Sequence, residues 1–69
     1  MIEMYRLTVS EKDSLEGVKY DGAQYFYPIQ DINDNWFISP IEVDNCTNVD
    51  YQWVKDLTLE DFVPKPIVE

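Results

Sequence analysis

The sequence predicts a small α+β domain, with an antiparallel sheet of about four to five strands and one or two short helices. Three observations predict it. Alternating apolar and polar residues near the N-terminus are typical of a strand. An Asp-Gly pair at Asp21-Gly22 lies between two strand-like runs and indicates a hairpin. The run Ser39-Pro-Ile-Glu has a serine N-cap, a proline in the first turn and a glutamate that closes a capping box, which is typical of a helix start.

The N-terminal third is predicted to hold a strand and a helical turn. Residues 2–9 form the first strand, since one face of the alternation carries Tyr5, Leu7 and Val9. A short helix over residues 11–16 follows, because Ser10 and Asp13 have the spacing of a capping pair. Gly17 is its predicted end, since glycine adopts the left-handed conformation that closes many helices.

The middle of the chain is predicted to be mostly strand. The Asp-Gly hairpin leads into a strand over residues 25–30, which is an edge strand or contains a bulge because Pro28 has no N–H to donate to a ladder. Residues 33–35, Asn-Asp-Asn, form a turn, since these side chains bond to their own backbone and tolerate positive φ. Residues 36–38, Trp-Phe-Ile, then form another strand.

The C-terminal third is predicted to hold one helix, one strand and an extended tail. The capped helix covers residues 40–46. Residues 49–54 alternate like a strand, with one face formed by Val49, Tyr51 and Trp53. Thr58 starts a further cap-like turn. Because two prolines keep the last segment extended, residues 1–62 form the predicted domain and residues 63–69 the predicted tail.

The length and composition favour one compact domain. The chain has 69 residues, an apolar fraction of 45% and a formal net charge of −9. That apolar content supports one core and is too high for a disordered chain, although a chain this short buries only about 60% of its unfolded surface. Binding to a partner or self-association would supply further burial.

Missing residue types exclude several function classes. The sequence has no histidine, so in a monomer Ser-His-Asp, Cys-His and mixed Cys/His zinc sites are excluded. Its one cysteine, Cys46, cannot form an internal disulfide and is expected to lie in the core. Neither a signal peptide nor a membrane-spanning run is visible. We therefore expect no enzyme activity, no cofactor and an intracellular location.

The negative charge is concentrated after residue 20. Residues 1–20 carry four acids against three bases, a net of −1, whereas residues 21–69 carry ten acids against Lys55 and Lys65, a net of −8. Such a field repels nucleic acid and anionic membrane, and it attracts basic surfaces, which in a cell belong mainly to nucleic-acid-binding proteins. The need for solubility explains the acids equally well when the charge is considered alone.

Residues 31–42 resemble an EF-hand calcium loop in the order of their oxygen-bearing side chains. At loop positions one, three, five, nine and twelve they have Asp31, Asn33, Asn35, Ser39 and Glu42. Position six, however, is Trp36, where the loop needs a glycine with positive φ. The segment before the stretch is also strand-like rather than helical. We therefore predict no metal site, with the asparagines forming a turn while Ser39 and Glu42 cap the next helix.

Ten aromatic side chains are the other prominent feature. They are too many for so small a core to bury completely, so the sheet has either two covered faces or one binding face. Stacking of single-stranded nucleic acid is disfavoured because almost no basic groove would hold the phosphates. Acid–base catalysis is disfavoured as well, since acids close in sequence usually form a solvated face, and those considered are Asp44, Asp50, Asp56, Glu60 and Asp61.

In size, acidity and lack of catalytic residues, the chain resembles the small proteins of phages and prophages, and in particular the anti-CRISPR inhibitors. The resemblance covers the whole chain in character, and no shared motif assigns a role to any residue. It implies a non-enzymatic inhibitor in the cytoplasm of a bacterial host cell. Such an inhibitor would occupy a basic guide-RNA or DNA binding surface, for instance that of a CRISPR effector nuclease, without binding nucleic acid or membrane itself.

The residues predicted to contact this partner combine carboxylates with aromatic anchors. The acids would meet lysine or arginine and speed the encounter, and the aromatics would anchor the complex. They are Asp31, Asp34, Trp36, Asp44, Asp50, Tyr51, Trp53 and Asp56. The alternative is a homo-oligomeric phage structural, assembly or accessory protein, in which the segment 63–69 adds a strand to a neighbouring copy.

Overall fold

The structure is a computed structural model that describes residues 2–67, and within them it contains a four-stranded antiparallel sheet with short helices. The strands are β1 Ile2–Leu7, β2 Ile29–Gln30, β3 Trp36–Ile38 and β4 Leu59–Phe62. The helices are α1 Val9–Ser14, α2 Pro40–Asp44 and the 3-10 helix Val49–Asp56. The predicted α+β fold class is therefore confirmed.

Strand β1 lies in the interior of the sheet and pairs on both sides. The spatial order is β2–β3–β1–β4, and every neighbouring pair is antiparallel. Leu7 lies opposite Trp36 on β3, and Ile2 lies opposite Phe62 on β4. Because successive side chains of a strand point to opposite faces, this register gives the sheet two apolar faces.

Both faces of the sheet bury apolar side chains. On the face towards the helices, Leu7 and Ile38 join a cluster whose other buried members are Leu15, Tyr20, Phe26, Val43, Cys46 and Val54. On the second face, Met4, Phe37 and Phe62 form a smaller cluster, in which the two phenylalanine rings meet edge to face with centroids 5.2 Å apart. The sheet thus has two covered faces, and the predicted burial of the cysteine is confirmed.

Helix α1 begins earlier than predicted because Thr8, rather than Ser10, is its N-cap. The Thr8 hydroxyl accepts a hydrogen bond from the Glu11 N–H at 3.1 Å, and the Glu11 carboxylate accepts one from the Thr8 N–H at 2.8 Å. The sequence contains two overlapping cap patterns, and the one that forms follows directly after the last residue of β1. The helix ends at Ser14 with Leu15 as its C-cap, so the predicted stop at Gly17 lies three residues too late, although Gly17 adopts a φ of 71° in the turn that follows.

The strand predicted over residues 49–54 is wrong, since this segment belongs to the 3-10 helix. Asn48 caps that helix through its side-chain oxygen, which accepts a hydrogen bond from the Asp50 N–H at 3.1 Å. Val54 is buried in the main cluster, and Tyr51, Trp53 and the C-cap residue Leu57 pack against it. The spacing of two between Tyr51 and Trp53 is typical of one face of a strand, and for this reason the sequence predicted a strand here.

The cap-like turn predicted at Thr58 is also wrong, because the residues that follow it form β4. The Thr58 carbonyl accepts a hydrogen bond from the Arg6 N–H at 3.1 Å, which brings the chain alongside β1. Leu59 then lies opposite Tyr5, and the ladder continues to Phe62. The strand forms because the edge of β1 offers unpaired backbone groups, a condition that no local pattern reveals.

Residues 18–27 form a hairpin-like loop rather than two full strands. A single bridge joins Lys19 and Tyr25. The Asp21 carboxylate accepts two backbone hydrogen bonds from within the loop and closes it. The strand predicted over residues 25–30 is confirmed only at its end, where β2 lies at one edge of the sheet.

Residues 63–67 have no regular secondary structure, and two contacts tie them to the turn between β2 and β3. The Val63 carbonyl accepts a hydrogen bond from the Ile32 N–H at 2.8 Å. Lys65 Nζ lies 2.7 Å from Asp34 Oδ1. The division between a domain and a tail stays a prediction, and the last two residues of the tail lie outside the described part of the chain.

Substitution of Asn48 tests how the 3-10 helix is held. Its side chain also donates a hydrogen bond to the Lys19 carbonyl at 2.9 Å. We expect Asn48→Ala to lower the free energy of unfolding by about 1–2 kcal/mol, because both side-chain bonds are lost. Asn48→Asp keeps the capping acceptor and should lose less. Urea unfolding followed by tryptophan fluorescence compares the two variants, and equal losses would contradict a capping role.

Candidate partner-binding surface

An open groove lies between α1 and the 3-10 helix. Its lining combines two aromatic side chains, two carboxylates and two serine hydroxyls, contributed by Ser10, Glu11, Ser14, Asp50, Tyr51 and Trp53. We call this surface the aromatic groove. It brings together three of the residues predicted to contact a partner, which are Asp50, Tyr51 and Trp53.

The rings of the aromatic groove are held by the core beneath them. Tyr51 lies between Phe26 and Trp53, with ring centroids 6.5 Å and 6.3 Å away, and Phe26 is buried. The Gln52 side chain donates hydrogen bonds to two carbonyls of the preceding loop, at 3.1 Å and 3.0 Å, which fixes this part of the backbone. Both groove rings are therefore half-buried, with one side against the core and the rest accessible.

The carboxylates beside the rings form no ion pair with a cation of residues 2–67. Asp50 is exposed, and its carboxylate forms neither a hydrogen bond nor an ion pair within residues 2–67. Asp56 follows Trp53 by one turn of a 3-10 helix, so its exposed carboxylate lies on the same side as that ring. Lys55, in the same helix, has no ion pair within the described residues. The groove side of the 3-10 helix consequently carries unpaired negative charge.

Other residues predicted to contact a partner lie away from the aromatic groove. Trp36 is half-buried, and Lys12 Nζ lies 4.7 Å from its ring centroid. Asp34 is paired with Lys65. Asp44 is exposed at the end of α2. The structure therefore does not gather all of the predicted residues on one surface.

Four of the oxygen-bearing side chains of the calcium-like stretch already accept hydrogen bonds, three of them from the backbone and that of Asn35 from Arg6 Nη2 at 3.0 Å. Asp31 is only 2% exposed, so it is not presented to a partner, and its Oδ1 accepts hydrogen bonds from the N–H groups of Asn33 and Asn35, each at 3.0 Å. Ser39 and Glu42 form a capping box. The predicted turn and cap are confirmed, and the absence of a calcium site stays a prediction.

The acids considered for acid–base catalysis lie on three different elements. On β4, Glu60 is 3.5 Å from Arg6, and Asp61 lies opposite Glu3 of β1. The others belong to α2 and the 3-10 helix, and they are Asp44, Asp50 and Asp56. Within residues 2–67, no three acidic or cysteine side chains come close enough together to hold a metal ion.

Glu42 has a structural role that the sequence does not reveal in full. Its Oε2 accepts a hydrogen bond from the Ser39 N–H at 3.0 Å, which completes the predicted capping box. Its Oε1 accepts a second bond, at 2.6 Å, from the N–H of Tyr27, which is 15 residues away in the chain. Burial raises the pKa of the Glu42 carboxyl, although both backbone hydrogen bonds oppose the rise. The capping pattern signals the first bond, and no local pattern signals the second.

Comparison with protein-family models, with curated proteins and with solved structures gave no match. Among the described residues, no helix combines the length and the apolar character needed to cross a membrane. The aromatic groove combines two half-buried rings with carboxylates that form no ion pair within residues 2–67.

Protonation of Glu42 should stabilise the protein. Because burial raises the pKa of this carboxyl in the folded state, its contribution is fully present below the ordinary value of 4.5 and is lost as pH rises through the folded-state pKa. We expect the free energy of unfolding of the unsubstituted protein to rise, relative to that of Glu42→Gln, as the pH falls from about 7 to about 4. Urea unfolding at a series of pH values measures the difference.

Asp44→Asn is the matched control for this experiment, since it removes an exposed acid from the same helix. The control should keep the pH dependence of the unsubstituted protein. If the unsubstituted protein instead lost stability relative to Glu42→Gln on acidification, the backbone hydrogen bonds would outweigh burial, and the stated sign would be wrong.

Proposed function

We propose that the protein is a non-enzymatic acidic binding protein that inhibits a nucleic-acid-handling enzyme in the cytoplasm of a bacterial cell. Its target is a basic guide-RNA or DNA binding surface of an RNA-guided nuclease, in the manner of an anti-CRISPR inhibitor. The aromatic groove carries the proposal, because two accessible rings adjoin carboxylates that no cation of residues 2–67 pairs with.

The charge of the chain favours a basic protein surface as the partner. The net charge is −9, and the ion pairs within residues 2–67 involve acids outside the lining of the aromatic groove, in the pairs Arg6–Glu60, Lys12–Asp13 and Lys65–Asp34. The carboxylates of the groove therefore keep their negative potential. That potential attracts and orients a positive surface, and it repels nucleic acid.

The rings supply contact area that charge alone does not. Tyrosine and tryptophan are enriched among the residues that dominate binding energy at interfaces. Tyr51 and Trp53 are already positioned by contacts with the core, so binding would restrict few additional rotamers. In this view the carboxylates mainly set the association rate, and the rings mainly set the dissociation rate.

Inhibition assays on a panel of bacterial RNA-guided nucleases test the proposal. We expect the protein to block guide-RNA loading or DNA cleavage by at least one nuclease of the panel. Its affinity should fall steeply from low to high salt, because opposite charges meet at the contact. The double variant Asp50→Asn/Asp56→Asn should weaken binding by roughly tenfold through the loss of two charges. Biolayer interferometry gives the affinities, and cleavage assays give the inhibition.

The matched control is Glu3→Gln/Asp61→Asn, which removes the same charge from two exposed residues that face each other on β1 and β4. It should bind within about threefold of the unsubstituted protein, since long-range charge is screened at physiological salt. Equal weakening by both double variants would argue against the aromatic groove as the contact. Absence of inhibition across the panel, or binding that salt does not affect, would contradict the proposed function.

The alternative is a homo-oligomeric phage structural, assembly or accessory protein, and the outer edge of β4 favours it. This edge has no partner strand within residues 2–67, and such edges are templates for strand addition. Antiparallel self-pairing centred on Glu60 and Asp61, however, would place carboxylates opposite each other, which is destabilising. Sedimentation of the full chain at several concentrations distinguishes the two, since a mass that grows with concentration would support the alternative.

A further inference from the structure

We infer that the aromatic groove binds the guanidinium group of an arginine side chain of a partner protein, with the Trp53 ring as the stacking surface. The inference rests on the proposed function, because it names the group of the basic partner that the groove takes. It is more specific than attraction between opposite charges, since it requires a ring face and carboxylates at one place.

The protein already pairs cations with aromatic rings at other positions. Within residues 2–67 these pairs are Lys12 over Trp36 at 4.7 Å, Lys19 over Tyr25 at 5.3 Å and Arg6 over Phe37 at 5.9 Å. No cation of the described residues lies in this way over Tyr51 or Trp53. Both groove rings are half-buried, so the exposed part of each is free of a cation of the described residues and can take one from another molecule.

Carboxylates come from both walls of the aromatic groove. On the 3-10 helix, Asp50 lines the groove, and Asp56 lies one turn beyond Trp53. On the α1 wall, Glu11 Oε1 accepts the Thr8 N–H, so its other oxygen keeps its acceptor capacity. A guanidinium lying on the ring would thus have charged acceptors near its edge.

The planar shape of the guanidinium favours arginine over lysine. A guanidinium stacks flat on a ring, is weakly hydrated and directs five N–H donors outward from its edge. A lysine ammonium is compact, strongly hydrated and has three donors. The groove also offers the hydroxyl oxygens of Ser10 and Ser14 as acceptors, which suits the larger donor set.

Peptide binding to the full chain tests the inference. The probes are an arginine–glycine repeat peptide, a lysine–glycine peptide of the same length and a citrulline–glycine peptide, which keeps the shape of arginine without its charge. Isothermal titration calorimetry should show that the arginine peptide binds at least about fivefold more tightly than the lysine peptide. The citrulline peptide should bind more weakly than both.

Two groove variants should remove the preference for arginine. Trp53→Leu removes the ring face, and Asp50→Asn removes an exposed carboxylate that makes no contact within residues 2–67. The control Asp61→Asn has the same change of charge on β4 and should keep the ratio of arginine to lysine affinity. Trp53 packs against the core, so circular dichroism must show that its variant is folded. If it is not, Asp50→Asn provides the test.

Equal affinity for the arginine and lysine peptides would overturn the inference, as would an unchanged ratio in Asp50→Asn. The outcomes also separate this inference from the proposed function. If the protein prefers the arginine peptide but inhibits no nuclease, the inference stands and the proposed function is wrong. If the protein inhibits a nuclease and neither Trp53→Leu nor Asp50→Asn affects that inhibition, the proposed function stands and the inference is wrong.

Discussion

The Glu42 carboxylate makes the interaction on which the rest of the structure depends. Its two oxygens accept the N–H groups of Ser39 and Tyr27, so it starts α2 and also anchors the segment that carries Phe26 into the core. Phe26 in turn contacts the ring of Tyr51. The same carboxylate therefore links the start of α2 to the segment whose Phe26 ring packs against Tyr51 of the aromatic groove. Burying this charge is unfavourable, as the raised pKa of Glu42 indicates, but removal of the carboxylate would leave two backbone N–H groups without acceptors.

Sequence reasoning succeeded where the decisive contact lies within a few residues. The capping box of Ser39 and the turn over residues 33–35 are of this kind, since each depends only on local backbone chemistry. It failed where the partner is distant in the chain. The strand β4 has no alternation of its own and forms along the edge of β1, while the second bond of Glu42 reaches Tyr27. Such contacts depend on the tertiary arrangement, and no short-range pattern encodes them.

The candidate site shows the same limit. Residue type identified Asp50, Tyr51 and Trp53 as interface-like, and the structure brings them together, although in a 3-10 helix instead of on the face of a strand. The α1 wall of the groove was not predicted, because Glu11 is far from these residues in sequence. Asp31 was predicted to contact a partner, but its carboxylate is buried in a turn and accepts hydrogen bonds from backbone N–H groups. A count of charges does not reveal such burial.

The two tryptophans differ in what lies over their rings. A chain selected only for solubility gains from covering its exposed rings with charged side chains, because the stem of a lysine shields apolar surface from water. The ring of Trp36 is covered in this way, because Lys12 lies over it. Trp53 is not, since its neighbours in the groove are carboxylates and no cation of residues 2–67 lies over it. The carboxylates favour solubility, whereas the accessible ring does not, and in the inference above a cationic side chain of another protein would contact both.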